Sequence, residues 1–170
     1  STILMVFILA SILPLTVQAT DLSAGIVTTN GGNLNVRSAA SSGSSVVAKM
    51  PNGSYLTLVS RSGAWWRVEY ASGRYGYCHS DYITKVSGTA AVVATNGSNL
   101  NVRSGAGTGY TKIGSLAQGE RVIVLSKSGS WSRILYYGTK TGYVSSQYLS
   151  GSSSDSPIHL SVPSFKQTDS

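Results

Sequence analysis

Cys78 and His79 stand side by side and would form a thiolate–imidazole pair if their side chains met. A thiol activated by a neighbouring base is a nucleophile able to attack a carbonyl carbon. The surrounding "GYCHS" reads as a short strand, however, and adjacent strand residues point to opposite faces. The residue 66 positions later is Val144, so Cys78 is expected to be a small core hydrophobe. Metal chemistry fares no better, since His79 and His159 have no partner at ligand spacing. "GAGTG" at 105–109 imitates a phosphate loop but lacks the strand and helix such a loop needs. The six carboxylates form no repeated pair: Glu69, Asp81 and Glu120 are matched by Leu135, Gln147 and Ser54. No catalytic constellation, cofactor site or metal site is expected.

What the chain does repeat is a set of residues suited to binding. "NGGNLNVRSAA" at 30–40 returns as "NGSNLNVRSGA" at 96–106. Residues 25–83 align with 91–149 without a gap, pairing Trp65 with Trp131, Tyr77 with Tyr143, Tyr82 with Tyr148 and Arg37 with Arg103. Glycines stay in register as well, Gly63 on Gly129 and Gly76 on Gly142. An undisturbed period that keeps turn glycines together with core positions indicates duplicated domains, each of roughly 60 residues.

Strand parity sorts the candidates by face. Trp65 shares a face with Arg67, and Trp131 with Arg133, opposite Val68 and Ile134, which should face the core. Trp66 becomes Ser132, so that position tolerates a polar residue. A tryptophan repeated on the non-core face suits an aromatic platform for a ligand. It equally suits a cap over the barrel edge, where burying the ring stabilises by about 2–3 kcal/mol. Tyr77, Tyr82, Tyr143 and Tyr148 are expected to line the same groove. Arg37 and Arg103 lie on the outward face beside Asn33, Asn35 and their repeats, within reach of a carboxylate or phosphate. The commoner role for such an arginine, and the one expected here, is to tie down the following loop through its backbone carbonyls.

These residues need strands to hold them. "NLNVR", "VVAKM", "YLTLVS", "WWRVEY" and "GYCH" alternate or run apolar between Ser/Gly-rich turns, and each has a counterpart in the second unit. With 41% hydrophobic residues, 19 Gly and 10 Tyr, the composition favours short strands and turns. Five short strands are too few for a two-sheet sandwich but suit a small, strongly bent barrel. The predicted fold class is all-β, with two tandem small barrels at 20–86 and 87–150. "TKVSGTAAV" at 84–92 reads as a short linker between them.

The net charge is +7 with only 11% charged residues, and the cations are spread singly. Diffuse attraction to an anionic polymer fits that pattern better than a nucleic-acid groove, so no nucleic-acid partner is expected. Residues 1–19, "STILMVFILASILPLTVQA", hold an apolar run, Pro14 and a Val17-Gln18-Ala19 ending. This is the pattern of a secretory signal peptide that lacks its charged start, and it predicts a chain exported after cleavage near Thr20 with no lasting membrane span. A single cysteine, which permits no internal disulfide, agrees with export.

The order L-N-V-R-S, then G-x-x-V-x-V, S-G-x-W and G-Y-V-x-x-x-Y-L, resembles the bacterial Src-homology-3-like (SH3b) domain in both units. The resemblance implies a partly open five-stranded barrel used outside the cytoplasm as a binding module, commonly attached to enzymes that cut or remodel the cell wall. Peptidoglycan and anionic wall polymers are then the expected partners. A Ser-rich linker at 151–157 leads into "IHLSVPSFKQTDS" at 158–170. "VPSFKQTDS" resembles the opening of papain-like cysteine peptidases of the bacteriocin-leader-processing type. That likeness implies Gln167 as an oxyanion-stabilising residue, with the Cys and His beyond Ser170. Two functions follow: a wall-binding module that targets an attached hydrolase, or the non-binding front of a secreted peptidase or hydrolase whose catalytic domain lies elsewhere.

Overall fold

The structure is a computed structural model that describes residues 22–151. The expected signal peptide, most of the Ser-rich linker and the peptidase-like start with Gln167 lie outside the described residues.

Strands β1 (Ser23–Val27), β2 (Leu34–Arg37), β3 (Val46–Met50), β4 (Tyr55–Ser62), β5 (Trp65–Ala71), β6 (Arg74–His79) and β7 (Ile83–Val86) form one antiparallel sheet in the order β3-β2-β6-β5-β4-β1-β7. Strands β8 (Thr89–Val93), β9 (Leu100–Arg103), β10 (Lys112–Leu116), β11 (Arg121–Ser128), β12 (Trp131–Tyr136), β13 (Lys140–Ser145) and β14 (Leu149–Gly151) repeat it as β10-β9-β13-β12-β11-β8-β14. The chain is all-β among the described residues, as expected, and no helix there is long and apolar enough to cross a membrane.

Alternation sets the inward face. In β2, Leu34 and Val36 are buried while Asn35 and Arg37 are not, and β9 repeats the pattern with Leu100 and Val102. Val27, Leu34, Val36, Leu56, Leu58, Val68 and Cys78 come from five strands yet form one cluster. A single sheet whose strands all meet in one core must curl around it, which makes a barrel. Gly76 shows why a repeated glycine is needed: a Cβ there would lie 2.5 Å from Val36 Cγ1 and 3.0 Å from the Arg37 carbonyl. A Cβ on Gly142 would likewise lie 2.4 Å from Val102 Cγ1. Cys78 is fully buried opposite the outward-facing His79, and desolvation pushes its thiol up to about 12.

Two expectations need correction. Each unit has seven strands, not five, because "SAGIV" forms β1 and the closing segment forms β7. Small residues in β1, Ala24 and Gly25, hide its alternation. The stretch 84–92 is mostly strand, so only Ser87 and Gly88 separate β7 from β8. The barrels consequently touch. Ala24, Ile123 and Leu135 form a buried cluster between them, and Arg133 lies over the Tyr55 ring at 5.5 Å.

Candidate functional site

Each barrel carries a hollow at the same place. In the first it is about 600 Å³, bounded by the lip at 29–33, β2, Trp65, His79 and Tyr82. In the second it is about 330 Å³, bounded by the lip at 95–99, β9, Trp131, Ser145 and Tyr148. The recurrence of one hollow on two barrels is what singles it out.

The side chains are positioned by the ladder. Trp65 begins β5 directly opposite His79 on β6, and their rings meet edge to face at 5.2 Å and 76°. A 3₁₀ turn at Ser80–Tyr82 then swings Tyr82 to the same side, its ring 6.1 Å from His79. His79 caps that turn, its Nδ1 accepting the Asp81 N–H at 3.3 Å. The lip is held from below: the Thr29 N–H donates to Asn52 Oδ1 at 2.8 Å, and the Gly97 N–H donates to Gln118 Oε1 at 2.6 Å. Both lips also carry a threonine hydroxyl bond, Thr29 to the Gly32 carbonyl and Thr95 to the Ser98 carbonyl.

Arg37 and Arg103 line the hollows and at the same time tie the next loop. Arg37 Nη1 donates to the Ser44 carbonyl at 2.7 Å, and Arg103 Nη1 to the Tyr110 carbonyl at 2.9 Å. The loop-tying role expected from the sequence is thus present, on side chains that also border the hollows. Tyr82 and Tyr148, exposed by 49% and 41%, stand at the rim beside the half-buried tryptophans. Tyr77 and Tyr143 do not line the hollows. Tyr77 pairs with Arg67 and Arg37, two rungs along from the Trp65–His79 rung, and two residues along a pleated strand span roughly 7 Å.

Trp66 points the other way. It packs against the first barrel's core with the Arg61 guanidinium over its ring at 5.3 Å. Its counterpart Ser132 is 1% exposed and satisfies its hydroxyl on Ser146 at 2.7 Å. His79 is the groove residue that sequence reasoning missed. As a thiol partner or metal ligand His79 carries no signal in the sequence, yet the parity that places Trp65 outward places His79 outward too. Among the described residues no three His, Cys, Asp or Glu side chains stand together to hold a metal. The hollows offer ring faces, amides and a guanidinium, which stack and hydrogen-bond.

Residues 32–84 and 98–150 each match the family model of the bacterial SH3 domain. The chain belongs to that family. Most of the lining of each hollow falls within one matched range, with Thr29, Asn30 and Thr95 just ahead of them. A Bacillus subtilis protein named "Putative N-acetylmuramoyl-L-alanine amidase YrvJ" is 32% identical over 130 residues, covering 72% of this chain and 25% of the relative. Bacteriocin BCN5 of Clostridium perfringens is 48% identical over 50 residues, 29% of this chain and 6% of the relative. A Listeria innocua protein named "Probable endopeptidase p60" is 40% identical over 60 residues, 35% of this chain and 13% of the relative. The SH3 pair thus matches a quarter or less of the length of these relatives.

Proposed function

We propose that the two SH3 domains form an extracytoplasmic module that binds peptidoglycan and holds an attached hydrolase on the bacterial wall. The observation that carries this reading is the groove built twice from the same parts, Trp65, Tyr82 and Arg37 in one domain and Trp131, Tyr148 and Arg103 in the other. Exposed rings beside amides and a guanidinium suit a ligand with both flat apolar faces and polar or anionic groups, as the glycan and peptide of the wall have. Tyr77 and Tyr143 flank the grooves two rungs away. The named amidase and endopeptidase relatives support a role beside a catalytic part, with the SH3 pair itself non-catalytic. The +7 charge supports a second, diffuse attraction to anionic wall polymers. Export rests on the leader-like pattern of residues 1–19. The peptidase-like tail with Gln167 supports a cysteine peptidase as the attached enzyme.

Co-sedimentation of the protein with purified sacculi, with and without their anionic polymers and over a salt series, tests the reading. Binding that survives polymer removal and falls only in part as salt rises supports the grooves as the binding surface. Loss of all binding with the polymers would leave electrostatics alone and overturn it.

A further inference from the structure

The two grooves share Asn, Leu, Arg, Trp and Tyr at equivalent positions, and they differ in ionisable residues at one corner. Where the second domain has Ser145 and Gln147, the first has His79 and Asp81. His79 Nδ1 accepts the Asp81 N–H at 3.3 Å and lies 3.6 Å from an Asp81 carboxylate oxygen. The same imidazole is edge-on to Trp65 and to Tyr82, so a ligand covering those rings meets it directly. We infer that His79 makes the first groove a protonation-dependent site for a carboxylate of a wall peptide, while the second groove binds independently of pH. This rests on the peptidoglycan reading above.

With the imidazole neutral, its Nδ1 lone pair is taken by the Asp81 N–H and the corner carries only the Asp81 negative charge. That charge repels an incoming carboxylate. Protonation removes the lone pair, so Nδ1–H turns from the amide to the Asp81 carboxylate beside it and the corner becomes neutral overall. Arg37, on the β2 side of the hollow, is then the dominant charge that a ligand meets. Arg61 approaches the same turn from β4, donating to Ser80 Oγ at 3.0 Å, and adds to the positive side. Trp65 carries no charge, and Tyr82 faces the imidazole with its ring. Histidine is the side chain whose charge ordinarily changes between about pH 5 and pH 8. In the second groove Arg103 is the charged lining residue, and neither Ser145 nor Gln147 titrates. The His79 and Asp81 side chains are 32% and 78% exposed, so water screens the pair and the effect is a modest one.

The test titrates the protein with a soluble peptidoglycan fragment bearing free carboxylates, from about pH 5.5 to about pH 8 at fixed ionic strength. The same fragment with its carboxylates amidated is the control. The carboxylates themselves stay ionised across this window, so the response belongs to the protein. The affinity of the unmodified protein should rise about three- to fivefold on acidification, as expected for one screened charge. His79→Ser, which installs the residue the second domain already tolerates, should flatten the profile. Ser145→His combined with Gln147→Asp should add a second acid-dependent component. The amidated fragment should show no pH response. An unchanged slope in His79→Ser, or an equal slope with the amidated fragment, overturns the inference. Binding with a flat profile in the unmodified protein overturns it while leaving the peptidoglycan reading intact. No binding at any pH to either fragment sinks both.

Discussion

Thr57 of the first domain donates twice to one carbonyl of the second, that of Gly138: its N–H at 2.9 Å and its Oγ1 at 3.0 Å. Gly138 has φ 82° and follows Tyr137 at φ 49°, so the β12–β13 turn lies in the left-handed region. A Cβ on Gly138 would lie 2.8 Å from the Glu69 carbonyl oxygen and 2.9 Å from the Ala71 nitrogen. The bare turn is therefore pressed against β5 of the other barrel. The equivalent position in the first unit is Ser72, so this contact is made once and breaks the repeat symmetry. Ala24, Ile123 and Leu135 are buried in a further cluster shared by the two domains.

Gly138→Val should separate the domains. The side chain meets backbone atoms and the conformation suits glycine, together costing about 2–3 kcal/mol. Thermal unfolding followed by tryptophan emission and by far-ultraviolet circular dichroism should change from one shared transition to two. Thr57→Val keeps the shape, loses one hydrogen bond and should cost about 1 kcal/mol. A Gly138→Val protein that still unfolds in one transition at the original midpoint would show that the contact does not couple the domains.

The tryptophans should separate by face. Trp65→Ala and Trp131→Ala are each expected to weaken wall binding by about 1–3 kcal/mol with the fold intact. Trp66→Ala should instead destabilise the first domain by about 3 kcal/mol through the cavity it leaves. Because Trp66 faces the core, it does not stand in for a lost Trp65, and the two groove tryptophans are equally clean tests. Denaturant midpoints and binding isotherms measured on the same three variants would reveal any exchange of roles.

Much of this was legible in the residues. The 66-residue period, the inward Leu34 and Val36, the outward Trp65 and the core placement of Cys78 follow from parity and from comparing the two copies. Strands built of small residues were not legible: Ala24 and Gly25 give β1 no alternation, and "TKVSGTAAV" reads as a linker although most of it is strand. For Tyr77, parity gives the face but not the rung, so its distance from the groove cannot be read from the sequence. His79 was overlooked because its partner in the groove, Trp65, is 14 positions away and becomes its neighbour only through β5–β6 pairing. The Thr57–Gly138 contact leaves no pattern at all, since it depends on how one unit meets the other.

Arg37→Met should free the loop at 38–45 while keeping the bulk of the stem. The bond to the Ser44 carbonyl is lost, and hydrogen exchange at the amides of that loop should speed up several-fold, as expected for removing about 1–2 kcal/mol of charge-assisted bonding. Arg103→Met should do the same for the loop before Lys112, through the Tyr110 carbonyl. Unchanged exchange in both variants would show that the loops hold themselves.

Cys78 should be inert to alkylating agents at pH 8 in the folded protein, since burial holds it as the thiol up to about 12. The unfolded chain ionises near the ordinary value of 9.0, so this group's stabilisation is complete below that pH and falls as pH rises from 9.0 toward about 12. Cys78→Val, matching Val144, should remove this alkaline loss with little cost at neutral pH. Rapid alkylation of the native protein would place the thiol outside the core.

The central claim is that two aromatic grooves bind the wall, and the Trp65→Ala, Trp131→Ala double variant tests it most directly. The variant and the unmodified protein would be sedimented with polymer-free sacculi at about 0.5 M salt, where the Debye length is only a few ångströms. The account predicts that the unmodified protein pellets and that the folded double variant stays in the supernatant. A folded double variant that pellets as well as the unmodified protein would contradict it.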